Sequence, residues 1–444
     1  MSSGSVAFPV PRIEDANSLS RAHTDEDLTP NEIAVGVIIG RSSEYFDFFV
    51  FGIACVLVFP FTLFPFMSRL DATLMAFAVF ALAFVARPVG TAIGMAVQRR
   101  WGRGTKLTLA MLALGVCTVG MAFLPNYESI GSTAIVVLIV LRIGQGLALG
   151  GSWDGLPSLL AMAVPKERRG WYAMIGQLGA PLGFITAAAL FAYLYSSLPV
   201  SEFLDWGWRY PFFVAFAINV VALFARLRLV VGQSYAELLQ ARELEPASVT
   251  EVMSGQGRNV LLGAFAALAS LALFHLVTVF PLSWISMYSE QSMVDVLNVQ
   301  ILGGVLAAVA IVVSGWLADR VGRRNLLGSM AVLIGLFSLA APWLLGGGPT
   351  GNNLFILMGF ILLGLSYGQS SGTVTNNFSS EFRYTGAALS TDLAWLFGAA
   401  FAPLVALGLS AKFGLMAVSL YLLSGVVCTL IALRINRLLE QREA

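Results

Sequence analysis

The sequence predicts an all-α membrane protein with about twelve transmembrane helices, arranged as two six-helix bundles related by pseudo-two-fold symmetry. Three observations support this prediction: the composition, the length of the apolar segments and a repeat between the two halves. Hydrophobic residues make up 57% of the 444 residues and charged residues only 11%, against roughly 25% charged residues in soluble proteins. With a mean hydropathy of +0.80, the chain has too few polar side chains to cover a soluble globule of this size.

The apolar segments reach about 20 residues or more, the length that a helix needs to cross the roughly 30 Å hydrocarbon core of a bilayer. They lack strand-like alternation, which disfavours a barrel. We place the spans at residues 33–58, 72–97, 105–125, 132–162, 171–195, 210–229, 259–286, 294–318, 326–346, 353–377, 386–410 and 413–433. The predicted organisation is a polar tail (1–30), an N-terminal bundle (31–229), a linker (230–257), a C-terminal bundle (258–434) and a second tail (435–444).

The placement of Lys and Arg predicts the orientation of the spans. Clusters of basic residues lie in the loops after spans 2, 4, 8 and 10, in the central linker and in the C-terminal tail. The opposite loops carry only Arg69, Arg209 and Lys412. Because basic loops stay on the cytoplasmic side, we expect an even number of spans, with both tails and the linker in the cytoplasm.

The repeat joins two loops that lie about half the chain apart. Residues 94–103 read GMAVQRRWGR and residues 315–324 read GWLADRVGRR, each between the second and third span of its half. Repeated six-helix halves are the architecture of a large class of transporters.

Both loops resemble the signature loop of the major facilitator superfamily, G-x-x-x-D-R-x-G-R-R. The C-terminal copy matches it through Gly315, Asp319, Arg320, Gly322, Arg323 and Arg324. The N-terminal copy keeps Gly94, Arg99, Gly102 and Arg103, but has Gln98 in place of the Asp and one extra residue before Gly102. The resemblance implies the major facilitator fold and a conformational-switch role for these loops. In that family the Asp caps and pairs with neighbouring helix ends, so the resemblance does not predict the same latch in the N-terminal half.

Further segments resemble the bacterial metabolite:proton symporter family. They are Glu-Tyr-Phe-Asp-Phe (44–48), Ala-Arg-Pro-Val-Gly (86–90), residues 142–151, Arg-Arg-Gly (168–170), residues 205–212 and residues 383–387. One departure is Ser152, where that family has Glu after the Gly-Gly pair. The resemblance implies a multi-pass protein of the cell inner membrane that imports a small organic anion (a carboxylate) or a zwitterion with protons by alternating access. A proton-driven efflux pump of the same fold and a non-transporting membrane sensor stay open as alternatives.

No enzyme pattern is visible. The sequence has no phosphate-binding glycine-rich loop with Lys-Ser/Thr, and Cys55, Cys117 and Cys428 lie in apolar segments without metal-ligand spacing. We therefore expect no enzymatic activity, no metal and no cofactor beyond the proton as coupling ion. The expected partners are the lipid bilayer and a small-molecule substrate, with no nucleic acid, and we expect a monomer.

Charged side chains at membrane depth carry the functional prediction, since each costs about 2.5–3.5 kcal/mol to insert. These ionisable residues are Arg41, Glu44, Asp47, Arg87, Arg142, Asp154, His275 and Asp392. Arg41, Glu44 and Asp47 follow one another at i+3 steps and share a broad helix face. Two carboxylates so close repel when both are ionised, so at least one is expected to hold a proton. The alternative is that Arg41 neutralises Glu44 as a structural pair.

We assign proton coupling to Asp47, Glu44 and Arg142. In the sugar porters, which the chain resembles here through Arg142 and Gly146, an Asp of span 1 pairs with an Arg of span 4 and exchanges it for a proton. The hypothesis is that Asp47 takes the proton and releases Arg142 to attract substrate. A permanent Asp47–Arg142 pair that only fixes helix packing is the alternative.

We predict a substrate-binding set in spans 1, 2, 4, 7 and 10, the last of which is unusually polar. Its members are Arg41, Arg87, Gln145, His275, Tyr367, Gln369 and Asn376. Arg87 either binds an anionic group or pairs with a carboxylate of span 1, and Gln145 and His275 alternatively make interhelical hydrogen bonds. Asp392 is either a second proton site or, as we favour, pairs with a basic group in span 8 or 10.

Overall fold

The chain folds almost entirely into long helices. The structure, a computed structural model, describes residues 30–153, 155, 168–231, 237, 245–370 and 378–443. Within these ranges every regular element is helical. Asp154, which the sequence placed at membrane depth, and Asn376, which it placed in the substrate-binding set, lie outside the described residues.

The N-terminal half contains six long helices, α1 to α6. Helix α1 spans Pro30–Leu57, and the helix Arg69–Ala122 breaks at Gly102 into α2 (69–101) and α3 (103–122). Helix α4 spans Ser132–Gly151; α5 comprises Arg169–Ile175, a 3₁₀ turn Gly176–Leu178 and Gly179–Ser197; α6 spans Tyr210–Val230.

The C-terminal half repeats the arrangement with α7 to α12. Helix α7 comprises Val249–Ala266, Leu268–Thr278 and Phe280–Tyr288; α8 spans Met293–Val321, α9 Arg323–Leu345 and α10 Gly348–Tyr367. Helix α11 comprises Arg383–Ala394, a π-helical segment Trp395–Ala400 and Ala402–Phe413, and α12 spans Met416–Glu443. Short helices at Phe59–Thr62, Tyr127–Ile130, Val200–Asp205, Gly207–Arg209 and Ser380–Phe382 lie between them.

These helices give twelve membrane crossings. Ten helices of the described chain are long and apolar enough to cross a bilayer, and one of them is the 54-residue helix that breaks at Gly102. Helix α1, which carries Arg41, Glu44 and Asp47, adds the twelfth crossing. Large apolar side chains such as Phe224 and Trp343 are exposed on the outside of the bundle, where lipid would cover them. The predicted multi-pass, two-bundle fold is confirmed.

With twelve crossings, α1 begins and α12 ends at the same end of the bundle, which we call the terminal face. The two repeated loops lie at this face, and each turns at a glycine of positive φ: Gly102 at 84° and Gly322 at 85°. Side chains with a Cβ avoid this left-handed region. The sequence repeat is therefore a repeat of backbone shape.

Glycines bring helices into backbone contact within the N-terminal half. A Cβ on Gly146 of α4 would overlap the backbone of Ala83 in α2, and one on Gly150 would overlap that of Arg87. In the same way, a Cβ on Gly183 of α5 would lie 2.6 Å from the backbone nitrogen of Phe46 in α1. Small residues at these positions therefore let α4 pack on α2, and α5 on α1, backbone to backbone.

Several helix ends differ from the predicted ones. Helix α4 ends at Gly151 and α10 at Tyr367 rather than at 162 and 377. Helix α7 begins at Val249, inside the segment predicted as linker, with a kink at Gln256 just before the predicted span. Helix α12 continues to Glu443 through the predicted tail, because backbone hydrogen bonds extend a helix past the point where its side chains become polar.

Candidate functional site

Glu44 of α1 is held between two arginines. Its Oε2 lies 2.9 Å from Nη1 of Arg41, and its Oε1 lies 2.8 Å from Nη1 of Arg226 in α6. Ser152 donates its hydroxyl to the same Oε1 at 3.3 Å and accepts a bond from Nη2 of Arg226 through its carbonyl at 2.7 Å. The residue that departs from the family pattern, Ser152, therefore belongs to this cluster.

The sequence placed Arg226 with the basic residues at the edge of the linker, so its role here was missed. Its side chain is nevertheless buried against Glu44 and Met111. The available signal was its position four residues inside the end of the apolar segment, where a long side chain can point inward as well as toward the membrane surface.

Asp47 lies in a separate network that is sealed from solvent. It is 2% exposed and accepts hydrogen bonds from Thr118 Oγ1 at 2.6 Å, Gln145 Nε2 at 3.0 Å and Asn219 Nδ2 at 3.1 Å. These donors come from α3, α4 and α6, so the carboxyl group joins four helices of one half.

The predicted direct pair of Asp47 with Arg142 is wrong for this conformation. Arg142 donates instead to Gln145 Oε1 at 2.9 Å and to the carbonyl of Phe80, and its guanidinium lies 4.0 Å from the ring centre of Phe51. Gln145 follows Arg142 by three residues on the same helix face, and its amide has both a donor and an acceptor. The Gln145 side chain thus lies between Asp47 and Arg142. It is 1% exposed and belongs to this buried network.

A third charged group joins the two halves. Arg87 of α2 lies with Nε 2.7 Å from Oδ1 of Asp392 in α11, and Thr91 donates its hydroxyl to the other carboxyl oxygen. Arg87 does not form the alternative pair with a carboxylate of span 1. The predicted partner of Asp392 in span 8 or 10 was likewise wrong, because α2 of the opposite half packs closer to that carboxylate.

A cavity lies between these charged groups. In this conformation it is small and partly open to its surroundings. Its wall consists of Arg41, Glu44, Tyr45, Phe48, Phe84, Arg87, Leu149 and Trp395. Two guanidinium groups beside aromatic rings suit a small anion with an apolar or cationic portion.

His275 lies behind this wall. It is 0% exposed, and its ring centre is 5.5 Å from that of Phe48, on which it stacks. Nδ1 lies 3.3 Å from the hydroxyl of Thr278, whereas Nε2 has no hydrogen-bond partner in the described part of the chain. The predicted substrate contact would therefore require Phe48 or a neighbouring ring to move.

Tyr367 and Gln369 at the end of α10 face different surroundings. The Tyr367 hydroxyl bonds to that of Tyr45 across the two halves, next to the cavity wall. Gln369 donates to the carbonyl of Gly170 at 3.1 Å and accepts from Arg323 Nε at 3.2 Å. Gln369 was predicted to bind substrate, but α10 ends at Tyr367, and in this conformation Gln369 bonds at the terminal face instead.

The C-terminal switch loop grips the start of α5. Asp319 accepts bonds from the backbone N–H of Gly170 at 2.7 Å and of Trp171 at 3.1 Å. Arg323 donates to the carbonyl of Arg169 at 3.1 Å, whereas Arg320 stacks on Trp316 of its own helix. These bonds close the terminal face between the halves.

The N-terminal switch loop closes on α11 through other groups. Gln98 Oε1 accepts from Lys106 Nζ at 2.5 Å and from the hydroxyl of Tyr384 at 3.2 Å. Lys106 and Tyr384 also donate to the carbonyl of Trp153. Arg99 donates to the carbonyl of Ala247 at 3.0 Å.

The described residues hold no cluster of three or more His, Cys, Asp or Glu side chains that would fit a metal ion. The site instead consists of ion pairs and hydrogen-bonded charges at membrane depth, shared between two helical halves that meet at a cavity. This arrangement defines a multi-pass membrane transporter.

The comparison with known proteins gives the family. A family model described as Major Facilitator Superfamily matches residues 129–403, and the chain belongs to that superfamily. It is 35% identical over 419 residues to the "Inner membrane metabolite transport protein YhjE" of Escherichia coli K12, covering 92% of this chain and 95% of that protein. It is 30% identical to the "Shikimate transporter" of the same organism, covering 93% and 94% of the two chains.

A solved structure supports the fold. The crystal structure of a D-xylose-proton symporter superposes with a TM-score of 0.68 at 18% identity, covering 90% of this chain and 96% of that one. At this identity the likeness concerns the fold.

Proposed function

We propose that this protein imports a small organic anion or zwitterion across the inner membrane of a bacterium, driven by protons, through alternating access of its two halves. The observation that carries the proposal is the cavity between the halves, whose wall holds Arg41, Glu44 and Arg87 beside aromatic rings. Charge at this depth is costly to keep, and a guanidinium is the group best shaped to take a carboxylate in two parallel hydrogen bonds.

Substrate recognition is assigned to the cavity wall. Arg87 and Arg41 are the carboxylate-binding candidates, and Tyr45, Phe48 and Trp395 would contact the rest of the molecule. The shikimate transporter among the relatives supports a carboxylate, since shikimate carries one at neutral pH. An aromatic wall equally accepts a cationic group of a zwitterion, so both classes enter the test.

Proton coupling is assigned to Asp47 in the sealed network. Its carboxyl group joins α1, α3, α4 and α6 through Thr118, Gln145 and Asn219. Protonation would remove the charge that orients the Gln145 amide, which in turn holds Arg142. We propose that Gln145 relays the state of Asp47 to Arg142, in place of the direct pair expected from the sugar porters. Glu44 remains the candidate that faces the cavity itself.

The substrate class is tested by thermal shift of the purified protein in detergent with shikimate, citrate, 2-oxoglutarate, proline and betaine. A ligand present at 100 times its dissociation constant stabilises the fold by about 2.7 kcal/mol. Compounds that stabilise the protein are then tested as radiolabelled substrates in counterflow with proteoliposomes. We expect a carboxylate to do both, and Arg87→Gln to lose the stabilisation.

Lys412→Gln is the matched control, because Lys412 lies at the end of α11 on the opposite face, near the ring of its neighbour Phe413. It removes one cation without touching the cavity and should keep the ligand effect. Export of bulky apolar compounds would support the efflux pump instead. Binding without any counterflow would support the sensor and overturn transport.

A further inference from the structure

The pair Arg87–Asp392 has two features that the proposed function does not use. It joins α2 of one half to α11 of the other, and one of its members, Arg87, lines the cavity while Asp392 does not. Asp392 is 4% exposed on its side chain. A cation of the substrate cavity is thus held by a carboxylate buried in the opposite half.

The contact is an ion pair with imperfect hydrogen-bond geometry. Nε of Arg87 lies 2.7 Å from Oδ1 of Asp392, yet this nitrogen has no aligned hydrogen-bond acceptor in the described part of the chain. The other carboxyl oxygen takes the hydroxyl of Thr91. A guanidinium has five N–H groups and prefers two parallel bonds to a carboxylate, so a mobile carboxylate in the cavity can offer Arg87 a better fit than Asp392 does.

We infer, on the basis of the proposed function, that Asp392 competes with the substrate for Arg87. When the substrate carboxylate displaces Asp392 from Arg87, the contact between α11 and α2 is broken. Asp392 acts as a positioning residue in this scheme. It holds Arg87 at the cavity wall while the terminal face is closed, and it does not itself touch the substrate.

The displacement has a direct consequence for conformation. With Arg87 turned to the substrate, the closed arrangement contains a buried carboxylate that has lost its cation, which is strongly unfavourable. Separation of α2 from α11 lets water reach Asp392 and removes this penalty. Substrate therefore shifts the equilibrium toward the conformation with an open terminal face, by the difference between its affinities for the open and closed conformations. Opening then releases the substrate on the side of the terminal face.

The test uses the full chain with Asp392→Asn, which removes the competing charge and keeps the shape. We expect the affinity for shikimate, used as the probe, to rise at least about tenfold, while Arg87→Gln loses binding. Thr91→Val, which leaves the ion pair in place and removes one hydrogen bond to Asp392, should shift the affinity in the same direction by a smaller factor.

The conformational part is read from the distance between nitroxide labels on cysteines at Arg100 and Glu381, two exposed positions of opposite halves. Cys55, Cys117 and Cys428 are first replaced by Ser. Without ligand, Asp392→Asn should move the distribution toward the longer distances that shikimate produces in the wild type. Asp319→Asn is the matched control: it weakens the same face through the other loop, and should lengthen the distance with less gain in shikimate affinity.

Two results would overturn the inference: an Asp392→Asn variant that binds shikimate as weakly as Arg87→Gln, or one whose labelled distance stays at the wild-type value. Failure of the wild type to bind or exchange any compound of the panel would instead overturn the proposed function. In that case the labelled distance in Asp392→Asn still decides whether this pair locks the terminal face.

Discussion

The two switch loops have the same shape but close the terminal face with different chemistry. Gly102 and Gly322 turn with φ of 84° and 85°. In the C-terminal half the carboxylate of Asp319 grips two backbone N–H groups at the start of α5, where the helix dipole favours a negative charge. In the N-terminal half the neutral side chain of Gln98 accepts hydrogen bonds from the buried Lys106 and from the hydroxyl of Tyr384.

This difference shows that the backbone shape of each loop and the hydrogen bonds that close the face depend on different residues. Glycine fixes the turn, whereas the latch depends on which side chains the opposite half presents. The loss of the Asp in the N-terminal half did not leave a gap, because Gln98 accepts bonds from Lys106 of its own half and from Tyr384 of the opposite half. In the N-terminal latch all the donors are side chains, and they bond to Gln98 and to backbone carbonyls, so this latch should tolerate substitution differently.

The largest expected effect comes from Gly170→Ala in the C-terminal latch. The new Cβ would lie 2.6 Å from Oδ1 of Asp319 and 2.8 Å from Cβ of Ala318, so the start of α5 cannot approach the loop. We expect the distance between the labels at Arg100 and Glu381 to lengthen and uptake to fall more than about tenfold. Gly328→Ala is the control, since its Cβ would meet only Leu433 at 3.9 Å; equal loss in both variants would contradict the role of the latch.

A smaller effect is expected from Tyr384→Phe in the N-terminal latch. The change removes the hydroxyl that donates to Gln98 and to the carbonyl of Trp153, while Lys106 still donates to both. Losing one buried hydrogen-bonding group costs about 1–3 kcal/mol, and the remaining donor should keep the cost at the lower end. The labelled distance should shift partly; a shift as large as in Gly170→Ala would show that the two latches are equivalent after all.

The sequence predicted the number of helices, the repeat and most of the residues that carry buried charge, because these depend on composition and local spacing. It missed the burial of Arg226 and Lys106, which it placed among the basic loop and linker residues. It offered the pair of Arg41 with Glu44 as an alternative, and that pair is formed, but it did not predict the other pairs. Glu44 meets Arg226, and Arg87 meets Asp392, because pairing depends on which helices are neighbours across the bundle and in which conformation. Gln145 was found as a polar residue of span 4, but its place between Asp47 and Arg142 follows only from side-chain geometry.

The smallest effect concerns the feature that the two loops share. Gly102→Ala and Gly322→Ala each force an L side chain to adopt a positive φ with an extended ψ of 170° and 137°, at a cost of roughly 1–3 kcal/mol. Open space surrounds the new Cβ at Gly102, and the nearest atom to that at Gly322 is Asn325 Nδ2 at 3.9 Å. Thermal unfolding in detergent should therefore show two losses of similar size. A clear difference would mean that the loops are not equivalent in backbone energy.

Proton coupling through Asp47 is tested most directly by solute accumulation in proteoliposomes under an imposed pH gradient. One pH unit is worth about 1.4 kcal/mol per proton, enough for roughly tenfold accumulation of the solute. With labelled shikimate and no membrane potential, the wild type should accumulate the solute toward that ratio, and Asp47→Asn should exchange it across the membrane without accumulating it. Accumulation by Asp47→Asn to the wild-type level would contradict the account.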